Sequence, residues 1–244
     1  MSFKFKSKIE SYDVQPNGIV KISSLLKLFQ KAAGDELLDT PFSFLNLASR
    51  NTAFVLTKMT VSIIEDIKMY DEIEIITHPR KIHGATYPRD FIIKKDGKIC
   101  VVARSLWVLL DTEKRSILRP SAISDLGEIP TSEDDSFEID DIRRTVDDSS
   151  LLRTNVRSVG YSQLDMNNHL NNTYYSDYIF DCITNNRETD AGIYLQINYK
   201  HEARLGDVLT ICYNEPDSDK NDCDFIASCN DSKNVCFTAY LKIN

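Results

Sequence analysis

The sequence predicts an α+β protein built from two tandem copies of one unit, each an antiparallel sheet wrapped around a long helix. Three observations carry this. Hairpin landmarks recur 135 residues apart, each half opens with an apolar stripe at helical spacing ahead of β-rich runs, and a strongly acidic stretch separates the halves. A helix followed by about four antiparallel strands buries both the helix and one sheet face if the sheet curls around it. That is the hot-dog arrangement. Two such sheets joined edge to edge also cover strand edges that would otherwise stay open, so the expected fold is a tandem double hot-dog.

In the first copy Ile22, Leu25, Leu26, Phe29, Ala32 and Ala33 form the helical stripe, with Ser23 or Ser24 as N-cap. Strands are expected at about 53–65, 72–78, 87–95 and 98–110. In the second, Tyr175, Tyr178, Ile179, Cys182 and Ile183 form the equivalent stripe behind Asn171 and Asn172, and strands follow at about 191–200, 207–214, 222–230 and 233–243. The anchor is Glu72 in YDEIEI against Asp207 in LGDVLT, and the same spacing sets Asp96 of the turn KKDGK against Asp231 of CNDSK. Crowded acids and scarce large apolar residues in TSEDDSFEIDDIRRTVDDSS suit a solvated linker. Residues 1–130 are therefore expected to form an N-terminal unit, 131–148 an acidic linker and 149–244 a C-terminal unit.

The 244 residues, 42% hydrophobic, suffice for one large core or two small ones. A formal charge of −8 argues against nucleic-acid binding, which needs clustered lysine and arginine, and an acidic partner protein would have to meet a local basic patch. No run approaches the roughly 18 apolar residues of a membrane span, so a cytoplasmic protein is expected. The six cysteines form no CxxC pair, which leaves no metal or cofactor to expect. The oligomeric state is open, a homodimer included.

GYSQLDMNNHLNNTYY, from Gly160, places a dense polar cluster just ahead of the second helix. Asp165, Asn167 and His169 alternate, so on an extended approach their side chains project to one side, with Asn171 placed to cap the helix. An Asx-rich turn with a bystander histidine has the same spacing. Lining up the helix starts at Ser23 and Asn171 sets Asn17, Ile19 and Lys21 opposite Asp165, Asn167 and His169, so only one copy carries the triad. The shift of 135 sets Glu202, in INYKHEARLGD, opposite Ile67, and this acid too is expected in the second half alone. A group needed once per molecule for chemistry fits that asymmetry better than a group needed to cap every helix.

At these residues the chain resembles the acyl-ACP thioesterase family. DMNNHLNN matches that family's Asp-x-Asn-x-His-x-Asn-Asn motif, and YKHEA from Tyr199 matches its Tyr-Arg-Arg-Glu-Cys segment at the aromatic and the acid. FQKAAGDEL at Phe29 looks like the family's first-helix segment, while RDFIIKKDGK at Arg89 and SLWVLLDTEKRSILRP at Ser105 are similar to its first-domain hairpin. The likeness covers most of the chain outside the linker. It implies hydrolysis of fatty acyl-ACP thioesters to free fatty acid and acyl carrier protein, with Asp165, Asn167, His169 and Glu202 as the catalytic set.

Plant members often have cysteine after the glutamate, whereas this chain has Ala203, so a Cys/His mechanism lacks its thiol and carboxylates must carry the reaction. Glu202 or Asp165 is expected to activate water, with Asn167 and His169 orienting it and backbone amides near Asn171 polarising the thioester carbonyl; direct attack by Asp165 is the other route. Leu25, Phe29, Phe54, Leu56 and Trp107 are candidates to line an acyl-chain pocket in the first copy, against ordinary core packing. Lys94, Lys95 and Lys98, or Lys200 and Arg204, are candidates to meet the acidic carrier. The competing readings are an acyl-CoA thioesterase, a dehydratase on hydroxyacyl substrates and a non-catalytic acyl-binding protein, all on the same fold.

Overall fold

In a computed structural model the described residues are 2–132, 137–141, 146, 150–183, 188–214, 221–230 and 234–243. Asp231, one of the hairpin landmarks, and most of the acidic linker lie outside them. The first half contributes β1 (Phe3–Lys8), α1 (Ile22–Leu37), α2 (Phe44–Ser49), β2 (Thr52–Ile63), β3 (Glu72–Pro79), β4 (Thr86–Lys95), β5 (Lys98–Asp111) and the short β6 (Ser116–Leu118). The second contributes β7 (Arg153–Ser158), α3 (Tyr174–Cys182), β8 (Tyr194–Tyr199), β9 (Val208–Tyr213), β10 (Asp222–Cys229) and β11 (Val235–Lys242).

These strands form one antiparallel sheet in the order β1-β3-β4-β5-β2-β8-β11-β10-β9-β7, with β6 added to β5. The order reads the same from either end when β1, β3, β4, β5 and β2 are exchanged for β7, β9, β10, β11 and β8. The fold is a tandem double hot-dog. Its two sheets meet where β2 pairs with β8, from Lys58 opposite Asn198 to Ser62 opposite Tyr194, so neither central strand keeps an open edge.

The curled sheet closes over α1 and α3. Ile22, Leu25, Leu26, Phe29 and Ala32 are buried along one face of α1, and Phe29 stacks on Phe91 of β4 at 4.7 Å between ring centres. On α3, Tyr175 packs edge-on against Tyr199 and Phe237. Asp96 and Gly97, both with positive φ, make the tight turn between β4 and β5 that such a pair favours.

Several elements differ from expectation. The outer strands β1 and β7 were not foreseen; β1 alternates Phe and Lys, while β7 offers Val156 as its only large apolar residue and even that is exposed. Ser23 and Ser24 lie inside α1 and are buried, with Lys21 at the N-cap position and no side-chain cap. Helix α3 begins at Tyr174, because Asn171 uses its side chain for the turn before the helix: its Oδ1 accepts from Thr173 N and from Thr173 Oγ1. Of the linker, Asp141 pairs with Lys58 at 2.6 Å and Asp140 O accepts from the Tyr194 hydroxyl, so this stretch lies against the sheet.

Candidate active site

Two leucines fix the polar segment. Leu164 and Leu170 pair with each other, Leu170 is buried, and the chain between them reverses tightly, with Asp165 N donating to His169 O and Asn168 N to Asp165 O. Asn168 takes the left-handed conformation at φ 60, which asparagine tolerates better than most side chains. Asp165 Oδ1 accepts from the N–H of Asn167 at 2.8 Å and of His169 at 3.3 Å. The Asx turn is therefore real, and it holds the aspartate while leaving Asn167 exposed and His169 half-buried.

The second segment docks on the first through backbone. Leu170 N donates to Ala203 O, and His169 pairs with Arg204. Ala203 is fully buried, so its neighbours Glu202 and Arg204 turn the other way, toward His169. Glu202 Oε1 lies 3.5 Å from His169 Nε2 and accepts from Arg204 at 2.9 Å and from Arg115 at 2.5 Å. Burial works to raise the Glu202 pKa, but the hydrogen bonds from Arg115 and Arg204, with His169 nearby, outweigh it and hold the carboxyl below the usual carboxylate range. The structure thus brings His169 and Glu202 into direct reach and ties Asp165 to the backbone that carries His169. The Asn167 side chain makes no hydrogen bond among the described residues.

The comparison between halves needs correction. Val14 pairs with Val20 as Leu164 pairs with Leu170, and Val20 N donates to Ile67 O as Leu170 N donates to Ala203 O. Gln15, Asn17 and Ile19 therefore stand opposite Asp165, Asn167 and His169, and Asp66 stands opposite Glu202. Alignment on helix starts failed because the helices do not begin at matching positions: the starts at Ile22 and Tyr174 are 174 − 22 = 152 apart, whereas the matched Val14 and Leu164 are 164 − 14 = 150 apart. The true asymmetry is an amide for Asp165 and an isoleucine for His169. Asp66 serves instead as a strut between halves, its Oδ1 accepting from the N–H of Asp190 and Ala191 while Gln15 Nε2 donates to the Asp190 carboxylate.

The amides at the start of α3 are already engaged: Thr173 N by Asn171 Oδ1 and Tyr174 N by Asn171 O. These two amides are therefore not open to a substrate oxygen. Arg115 went unnoticed at the sequence level, since it lies 87 residues from Glu202 and nothing in its turn marks it.

A cavity of about 390 Å³ opens in the first half between the end of α1, α2 and the sheet, walled by Phe42, Leu47, Phe54, Ile82, Tyr87 and Trp107 among others. Phe54 and Trp107 are thus on its wall, whereas Leu25, Phe29 and Leu56 pack in the closed core. The cavity and the polar cluster lie toward the same end of the sheet, because Lys58, four residues after Phe54, pairs with Asn198 near the end of β8. Lys94, Lys95 and Lys98 lie at the opposite end, where Lys95 pairs with Asp71 and donates to Asp66 O. Among the described residues no cluster of histidine, cysteine or acid could hold a metal ion.

Comparison with known proteins agrees with this architecture. The family profile described as acyl-ACP thioesterase N-terminal domain matches residues 1–125, and the one described as acyl-ACP thioesterase C-terminal domain matches 145–239. Among solved structures, an acyl-ACP thioesterase from Bacteroides thetaiotaomicron matches with a TM-score of 0.81 at 21% identity, over 100% of this chain and 98% of that one. The 12:0-ACP thioesterase from Umbellularia californica matches with a TM-score of 0.82 at 18% identity, over 100% of this chain and 97% of that one. No curated protein matches the chain in sequence.

Proposed function

The chain belongs to the acyl-ACP thioesterase family and hydrolyses acyl-ACP thioesters, and on that premise we propose that Asp165, Asn167, His169 and Glu202 carry the reaction. Glu202 lies 3.5 Å from His169 Nε2, close enough to orient the imidazole as a carboxylate does in catalytic dyads. A carboxylate already gripped by two guanidinium groups is a weak base, which leaves Asp165 as the group that takes the proton from the attacking water. His169 and Asn167 then face the thioester as donors to the oxyanion that forms at the carbonyl, and its collapse breaks the C–S bond, the carrier thiolate leaving with the proton that Asp165 took. The observation that carries this reading is the convergence of Arg115, Arg204 and His169 on Glu202, beside a turn whose aspartate is held by its own backbone.

The first half, with Gln15 and Ile19 in place of Asp165 and His169 and with Asp66 tied to the other half, is assigned to the acyl chain. Its cavity falls within the range of about 300–1,000 Å³ common for small-molecule sites. None of the six cysteines is in a disulfide, which suits a reducing cytoplasm. No helix among the described residues is long and apolar enough to cross a membrane.

The test is direct. Purified protein is incubated with matched acyl-ACP and acyl-CoA and free thiol is followed. Release from the carrier substrate is expected, with turnover reduced by about 10²-fold or more in Asp165→Asn, His169→Ala and Glu202→Ala. Near wild-type rates in all three variants remove the site assignment.

A further inference from the structure

We propose that Arg115, delivered from the first half, is a positioning residue for Glu202, so that the reacting groups are held in register with the acyl cavity. This rests on Glu202 acting as read above. Arg115 follows β5, whose Trp107 stands on the cavity wall, and its Nη2 reaches Glu202 Oε1 at 2.5 Å. One strand thus carries both a boundary of the cavity and, past its end, a grip on the catalytic carboxylate of the other half. A hydrolase must place its reacting carbonyl at a fixed distance from where the chain is bound, and misplacement by an ångström is costly.

The turn presenting Arg115 is built rather than loose. Asp111 Oδ1 accepts from the N–H of Glu113 and of Lys114, and Glu113 Oε1 accepts from Asn51 Nδ2. Arg115 itself sits in the left-handed region at φ 54, a conformation disfavoured for a long side chain, and the chain then returns at once to pair Ser116 with Asp111. Among the described residues three groups face Glu202: Arg115 from this turn, His169 from the polar segment, and Arg204 from the loop of Glu202 itself. Arg204 moves with Glu202, so among the described residues it is Arg115 that fixes the acid relative to the first half. The mirrored acid, Asp66, is likewise held from the other half, by the N–H groups of Asp190 and Ala191, and its half carries Ile19 at the position of His169.

Arg115→Gln, Arg115→Lys and Glu202→Gln are compared on one carrier-bound thioester for kcat and KM across pH. The Glu202 carboxyl is titrated by ¹³C NMR, its signal assigned by its loss in Glu202→Gln. Removing the guanidinium removes a group that favours the charged carboxylate, so the Glu202 midpoint must rise in Arg115→Gln, with kcat down about tenfold or more and KM within about twofold. Arg115→Lys, which keeps the charge, should recover the midpoint and part of kcat. An unchanged midpoint, an unchanged kcat, or a rise in KM alone in Arg115→Gln overturns the proposal while an inactive Glu202→Gln leaves the catalytic reading standing. A fully active Glu202→Gln removes that reading, and the role of Arg115 with it.

Discussion

Asp66 and Glu202 occupy the same place in two copies of one unit, yet they make different bonds. Glu202 receives two guanidinium groups and an imidazole, whereas Asp66 receives two backbone N–H groups from the other half. The pair therefore predicts opposite phenotypes. Asp66→Ala strands the N–H groups of Asp190 and Ala191 and should lower unfolding free energy by about 1–3 kcal/mol in a denaturant titration, with kcat retained. Glu202→Ala should leave the unfolding midpoint close to wild type and remove most turnover. The reverse pattern would show that the halves have been assigned the wrong way round. At this scale DMNNHLNN was legible because its residues are contiguous, and Glu202 because the resemblance pointed to it. The roles of Gln15 and Asp66 were not, since they depend on a pairing of Val14 with Val20 that no local spacing reveals.

Among the elements, α1 was readable from its stripe because one face touches the core and the opposite face touches water. β7 was not, because an outer strand with neither face well buried imposes no apolar alternation. The same distinction between core and wall separates two residues of the first half. Phe29 is fully buried against Phe91, so Phe29→Ala should cost about 3–5 kcal/mol of stability and leave the products unchanged. Ala53, at the start of β2, stands on the cavity wall. Ala53→Leu adds side-chain volume to that space and should shorten the preferred acyl chain, read by gas chromatography of released fatty acids. A product profile identical to wild type would take the cavity out of the acyl-binding role.

For the molecule as a whole, the two copies are not beads on a string. The β2–β8 ladder makes one sheet of the two, and a single core cluster runs from Ile9, Leu25 and Phe91 in the first half to Ile179, Phe225 and Leu241 in the second. A linker stretch also lies across the seam, with Asp141 on Lys58 of β2 and Asp140 on Tyr194 of β8. Separating the halves would expose the facing edges of two central strands along with core side chains, so neither half has an independent route to stability. Unfolding should therefore be one cooperative transition. The chain has one tryptophan, Trp107, in the first half. Its fluorescence reports that half alone, while far-UV circular dichroism reports the strands of both. The two probes should give the same midpoint and the same slope in urea. A fluorescence transition separated from the dichroism transition would mean that the first half melts on its own, and that the shared core does not couple the copies.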